Sequence, residues 1–106
     1  MNHRPERVES LIQEELGKLL LKEVEFPALV TITGVDVDKH LELARIKLSI
    51  LPSSAALEKK SLAIAKKEEK HLNHLLFKKI NIRPMPQIRF ELDRGAKNAD
   101  LSRFIL

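Results

Sequence analysis

The chain has no cysteine, no tryptophan, no tyrosine and only three glycines in 106 residues. Without cysteine it has no disulfide, no thiolate nucleophile and no thiolate metal ligand, a composition that fits a reducing compartment. Three scattered glycines cannot build a Gly-rich phosphate loop. The four aromatic residues are all phenylalanine, which argues against the base-stacking platform that single-strand binders use. No apolar run approaches the roughly 18 residues of a membrane span. Charged residues follow Met1 where a signal peptide would have its apolar core. A soluble, cytoplasmic chain with no membrane partner is expected.

The 106 residues suit one domain, residues 1–106, able to bury roughly two thirds of its unfolded surface. Its charge is lopsided. Residues 1–53 carry seven Lys/Arg against nine Asp/Glu, a net −2, whereas residues 54–106 carry twelve against six, a net +6. Such asymmetry points to a basic surface that meets a polyanion, although a solvated lysine face is the plainer reading of charge alone.

Along the chain, residues 4–24 read as an amphipathic helix, with Val8, Leu11, Ile12, Leu16, Leu19 and Leu20 at helical spacing. Pro5 suits its first turn and Phe26-Pro27 closes it. A strand is predicted from Leu29 to Val35, a turn from Asp36 to His40, then a second strand to Leu51. In the second strand Ile46, Leu48 and Ile50 alternate with Arg45, Lys47 and Ser49. Gly34 suggests a bulge in the first strand.

Residues 55–80 have helix-forming composition with no Gly or Pro. One straight helix of that length would run roughly 39 Å at 1.5 Å per residue, too long for a domain of this size. Leu57, Ile64, Leu72, Leu75 and Leu76 share a stripe with Glu68 in its middle. A straight helix would press that carboxylate towards the core. An interruption or kink is therefore predicted between Lys66 and Lys70. Arg83-Pro84-Met85-Pro86 leads into a third strand around Ile88, Phe90 and Leu92, and Leu101, Phe104 and Ile105 are expected to dock a short terminal helix. The sum is an α+β domain, a three-stranded sheet covered on one face by helices. The long crossover would make the second and third strands parallel neighbours.

An enzyme fails on inventory. Asp36 and Asp38 are spaced as a carboxylate pair, but in a turn such side chains cap the backbone. His71 and His74 stand i, i+3, but no other cluster in the chain offers the third and fourth ligands that a structural metal site needs. No cofactor or metal is expected. What remains is the basic set Lys66, Lys67, Lys70, Lys78, Lys79 and Arg83, suited to phosphate contacts that need no aromatic stacking. A second reading is a protein-interaction module that adds a partner strand at its sheet edge.

Three blocks of the chain resemble the ribosome-binding factor A family. They are Arg4-Pro5-Glu6-Arg7-Val8 with Leu11 to Leu16, Val30 to Val37 with Leu41 to Ser49, and Arg83 to Asp93. The resemblance implies a type II KH-like fold in α-β-β-α-α-β order and a non-catalytic role. It implies binding of 16S rRNA on the immature small (30S) ribosomal subunit, with help in late rRNA maturation and a link to growth in the cold. It also implies assembly GTPases as further partners. A monomer is expected, with the basic set binding RNA, helped by Arg4, Arg7, Arg45 and Lys47. The family's Ala-x-Gly turn falls here on Glu68-Glu69-Lys70, where a wider loop or gentler bend is expected. Phe26-Pro27-Ala28 stands where the family has an acidic residue, proline and arginine.

Overall fold

A computed structural model describes residues 5–94; Arg4 and the expected terminal helix lie outside them. Pro5 opens α1 (Pro5–Glu23), which buries Val8, Ile12, Leu16, Leu19 and Leu20 along one stripe. The chain then forms β1 (Leu29–Val37), β2 (Leu43–Leu51), α2 (Ala55–Lys67), α3 (Glu69–Ile80) and β3 (Gln87–Leu92). The sheet order is β1-β2-β3, with β1 antiparallel to β2 and β3 parallel to it. Ala44, Ile46, Leu48 and Ile50 of β2 face the helices and are buried with Ile88 and Phe90 of β3. Among the described residues no helix covers the sheet's other face. It is the polar face that the alternation of β2 dictates.

The first strand runs two residues past the predicted Val35, to Val37. The reason is a bulge between Ile32 and Gly34, where Thr33 is the extra residue. Val30 and Ile32 face the helices before it, Val35 and Val37 after it, so the apolar set changes parity. One inserted residue restores the phase. Thr33 Oγ1 turns to the Lys47 carbonyl and the Asp93 carboxylate, tying β1 to the end of β3 across the open face. Gly34 has no positive φ and open space where a Cβ would stand. Its backbone freedom is not what makes the bulge.

The turn is Asp38 to Glu42, not Asp36 to His40. Asp36 lies within β1 and ion-pairs with Lys47 at 3.0 Å. Asp38 alone caps, accepting the N–H groups of Glu42 at 2.7 Å and Leu43 at 3.0 Å. The Leu43 amide above all holds the Asp38 carboxyl below its usual range, aided by the Glu42 amide against some desolvation. A depressed folded pKa contributes stability that is complete above the unfolded value, about 3.9, and lost as pH falls through the folded one. Asp38→Asn should therefore flatten the acid-side fall of unfolding free energy, as urea titrations between about pH 5 and 2 would read. An unchanged slope would mean that another carboxylate carries it.

Ser54 caps α2, its Oγ accepting the Leu57 N–H at 3.2 Å. The helix stops at Lys67, Glu68 alone leaves helical geometry (φ −93°, ψ 0°), and α3 begins at Glu69. The expected interruption is present and is one residue wide, so no wider loop replaces the family's turn. The Glu68 N–H still bonds back to Ile64 and Ala65, while its carbonyl accepts Leu72 N–H at 2.9 Å. Each helix is thus capped into the other.

The buried residues of α2 are Ser61 and Ala65, while Leu57 and Ile64 of the expected stripe are half-buried and its Leu72 and Leu76 are buried in α3. Small side chains let α2 lie close to the sheet. The Ser61 hydroxyl is buried without a hydrogen-bond partner among the described residues. Ser61→Ala removes that cost and should stabilise the fold by about 1 kcal/mol. The melting midpoint should then rise by roughly 4–8 °C. A lower midpoint would show that the hydroxyl has a partner after all.

Both sheet edges are held by side chains from the helix layer. On β3 the outward N–H of Ile88 donates to Asn73 Oδ1 at 2.9 Å and that of Phe90 to Glu69 Oε2 at 2.8 Å. On β1 the Val37 N–H donates to Glu9 Oε2 at 2.9 Å, and Gln13 Nε2 donates to the Ile32 carbonyl at 3.4 Å. The two clamps have the same design. Each is an acid with an amide one helical turn later, reaching over the edge of the strand beneath.

Candidate nucleic-acid interface

The helix break points its cations at a groove between α3 and β3. Lys66 and Lys67, in the last turn of α2, and Lys70, in the first turn of α3, line it with Asn73, His74 and Phe77. Its volume is about 470 Å³. Met85, Gln87 and Ile88 form the opposite wall. Arg83 lies over the Phe77 ring, 5.6 Å from its centroid, at the far end of the groove wall. Lys78 and Lys79 are exposed in the last turn of α3, outside the groove lining.

The charge state of this rim follows from its partners. Among the described residues, Lys66, Lys67, Lys70, Lys78 and Lys79 make no ion pair. Glu69 also lines the groove and accepts the Phe90 amide, so the lining carries three lysines against one carboxylate. The result is a cationic rim around a partly apolar trough.

The other expected contacts lie elsewhere. Arg45 and Lys47 project from the helix-free face and are both paired. Arg45 binds Glu91 through Nε and Nη2, each at 3.0 Å, and the Glu91 carboxylate raises its pKa. Asp36 does the same for Lys47. Arg7 is exposed on α1, which packs on β1 and α3 rather than beside the groove. His71 and His74 part company, His71 facing Glu23 at 3.9 Å and His74 lining the groove. Among the described residues no three metal-binding side chains converge.

Phe77, Met85 and Gln87 were not legible as groove residues. Their only sequence signal is position, just before and after the segment that returns the chain from α3 to β3.

The α-β-β-α-α-β order, the sheet open on one face and the one-residue helix break define a KH-like α+β domain. The ribosome-binding factor A family model matches residues 4–104. A ribosome-binding factor A from Desulforamulus reducens is 35% identical over 95 residues, covering 88% of this chain and 78% of that protein. The crystal structure of ribosome-binding factor A from Thermus thermophilus superposes with a TM-score of 0.75 at 18% identity. It covers 88% of this chain and 100% of that one. The Thermus thermophilus factor fitted as a homology model into the cryo-EM map of a 30S complex gives 0.67 at 18% identity, covering 84% and 94%. The two structural likenesses show a shared fold. The chain belongs to the ribosome-binding factor A family.

Proposed function

We propose that this protein is a non-catalytic assembly factor that binds the immature small ribosomal subunit and assists late maturation of its 16S rRNA. The observation that carries the reading is the unpaired cationic rim at the helix break, beside a groove that RNA backbone can follow. The Thermus thermophilus relative fitted into a 30S complex supports the choice of partner. Phosphates meet Lys66, Lys67 and Lys70, with Lys78, Lys79 and Arg83 extending the track along α3. Arg4 and Arg7 are proposed as flanking contacts. Arg45 and Lys47 are the weaker candidates, since each would first leave a carboxylate. The whole chain acts as one domain and one monomer in the cytoplasm, without cofactor. Assembly GTPases, implied by the family resemblance, are proposed as the agents of its release. No helix among the described residues is long and apolar enough to cross a membrane.

Gradient sedimentation with purified ribosomal particles tests the reading. The full chain should travel with free small subunits, be absent from mature ribosomes, and dissociate steeply as salt rises. Equal recovery on all particles, or none on small subunits, overturns it.

A further inference from the structure

The groove at the helix break holds one histidine that the lysine track leaves without a role. His74 lines it beside Lys66, Lys67 and Lys70, one helical turn past Lys70 on the same face of α3. Its place is set by the residue before it. Asn73 grips β3 with both ends of its amide, donating to the Pro86 carbonyl at 3.4 Å and accepting the Ile88 N–H at 2.9 Å. Those two bonds fix the rotation of α3 against β3, and His74 is left exposed in the groove lining.

The charges that face His74 are mostly of one sign. From α2 they are Lys66 and Lys67, and from α3 Lys70 and Glu69. Lys78 follows one turn later on α3, and Arg83 lies over the ring of Phe77. The β3 wall of Met85, Gln87 and Ile88 carries no charge. Glu69 accepts the Phe90 N–H at 2.8 Å. Among the described residues no hydrogen bond or ion pair engages the His74 imidazole. His71 differs, facing Glu23 of α1 at 3.9 Å and standing outside the groove lining.

An imidazole can meet a phosphate in two forms. Neutral, it offers one N–H donor; protonated, it offers two donors and a charge. Neighbouring cations disfavour the second proton, and a phosphate within about 4–6 Å favours it. Entry of an RNA backbone among the lysines thus reverses the field that the imidazole meets. Histidine is the side chain for which such a reversal matters near neutral pH, since it ordinarily titrates at about 6.5.

We propose that His74 is a phosphate-binding residue of the groove that takes up a proton as RNA backbone enters, which links affinity to pH. The free ring nitrogen binds one proton from solvent on association and returns it on release. The inference rests on the RNA-facing reading of this site and adds to its lysines a cation that forms with the complex.

Calorimetric binding of a uridine dodecamer without terminal phosphates to the full chain, at about 50 mM salt, tests this. Affinity should fall about three- to tenfold from about pH 6 to about pH 8. Titrations in two buffers of different ionisation heat should show net proton uptake at about pH 7. His74→Gln should be flat with pH and hold the weaker affinity throughout. His74→Lys, permanently charged, should also be flat but at or above the wild-type affinity at about pH 6. His71→Gln should behave as wild type. Equal wild-type affinity at both ends of the range overturns the proposal. So does a pH dependence that survives in His74→Gln or vanishes in His71→Gln. A protein that travels with small subunits but does not bind the dodecamer overturns it too. In each of these cases the assembly-factor reading stands, because sedimentation tests it separately. A chain that fails to travel with small subunits loses both.

Discussion

Replacing Glu69 and Asn73 together by alanine is expected to destabilise the fold by about 2–4 kcal/mol. Ile88 and Phe90 are 1% exposed, and their outward amides have these two side chains as acceptors. Truncation leaves two donors unmet beside the core, at about 1–3 kcal/mol each. The Glu69 bond, charge-assisted and 2.8 Å long, should carry the larger share. Asn73 also donates to the Pro86 carbonyl at 3.4 Å, so its loss loosens the approach to β3 as well. The two residues sit one helical turn apart and grip one strand, so their effects should not add independently. Urea unfolding measures the sum, and hydrogen exchange at Ile88 and Phe90 locates it. The uncovered strand should also self-associate as concentration rises, because an unpaired edge is a template for another chain. A loss under about 0.5 kcal/mol with both amides still protected would mean that the clamp is incidental.

Most of the fold was legible because its signals are local. The stripe of α1, the alternation of β2 and β3 and the prolines after α1 and α3 each fix an element without reference to the others. The end of β1 was misplaced for a reason that the residues do hold. Val30 and Ile32 occupy even positions and Val35 and Val37 odd ones, and a strand whose apolar parity flips must contain a bulge or change faces. The break at Glu68 was found on grounds only half right. Glu68 would have faced inward, yet the surface that α2 buries is Ser61 and Ala65, which a hydrophobic pattern does not mark.

The edge clamps were not legible at all. Glu9 with Gln13 and Glu69 with Asn73 look like ordinary solvated i, i+4 polar pairs until the fold sets each beside a strand edge. The same blindness affected the site. Arg45 and Lys47 looked available as cations, but their acceptors Glu91 and Asp36 come from other strand positions that only the sheet register brings alongside. Among the described residues Lys66, Lys67 and Lys70 make no ion pair, and Glu69 beside them serves the Phe90 amide. Glu69 thus both closes the β3 edge and lines the groove, so fold and proposed function share it.

Charge reversal at Lys66, Lys67 and Lys70 together should therefore have the largest functional effect, with little effect on folding. All three side chains are exposed and make no ion pair, so no structural contact is lost. Each phosphate contact contributes about 0.7 to the slope of log affinity against log salt for a single strand and about 0.9 for a duplex. Losing three contacts should flatten that slope by about 2–3. At 0.1 M salt the same relation makes the loss of small-subunit affinity about a hundredfold or more, before repulsion by the new carboxylates is counted. Lys78 and Lys79, outside the groove, should give a smaller change when reversed. Arg45→Ala should give less again, since the arginine it removes already serves Glu91. Binding measured at several salt concentrations separates these outcomes from a folding defect, because a misfolded protein loses affinity without a graded change in slope. An unchanged slope in the triple variant, with normal unfolding, would remove the helix break from the RNA interface.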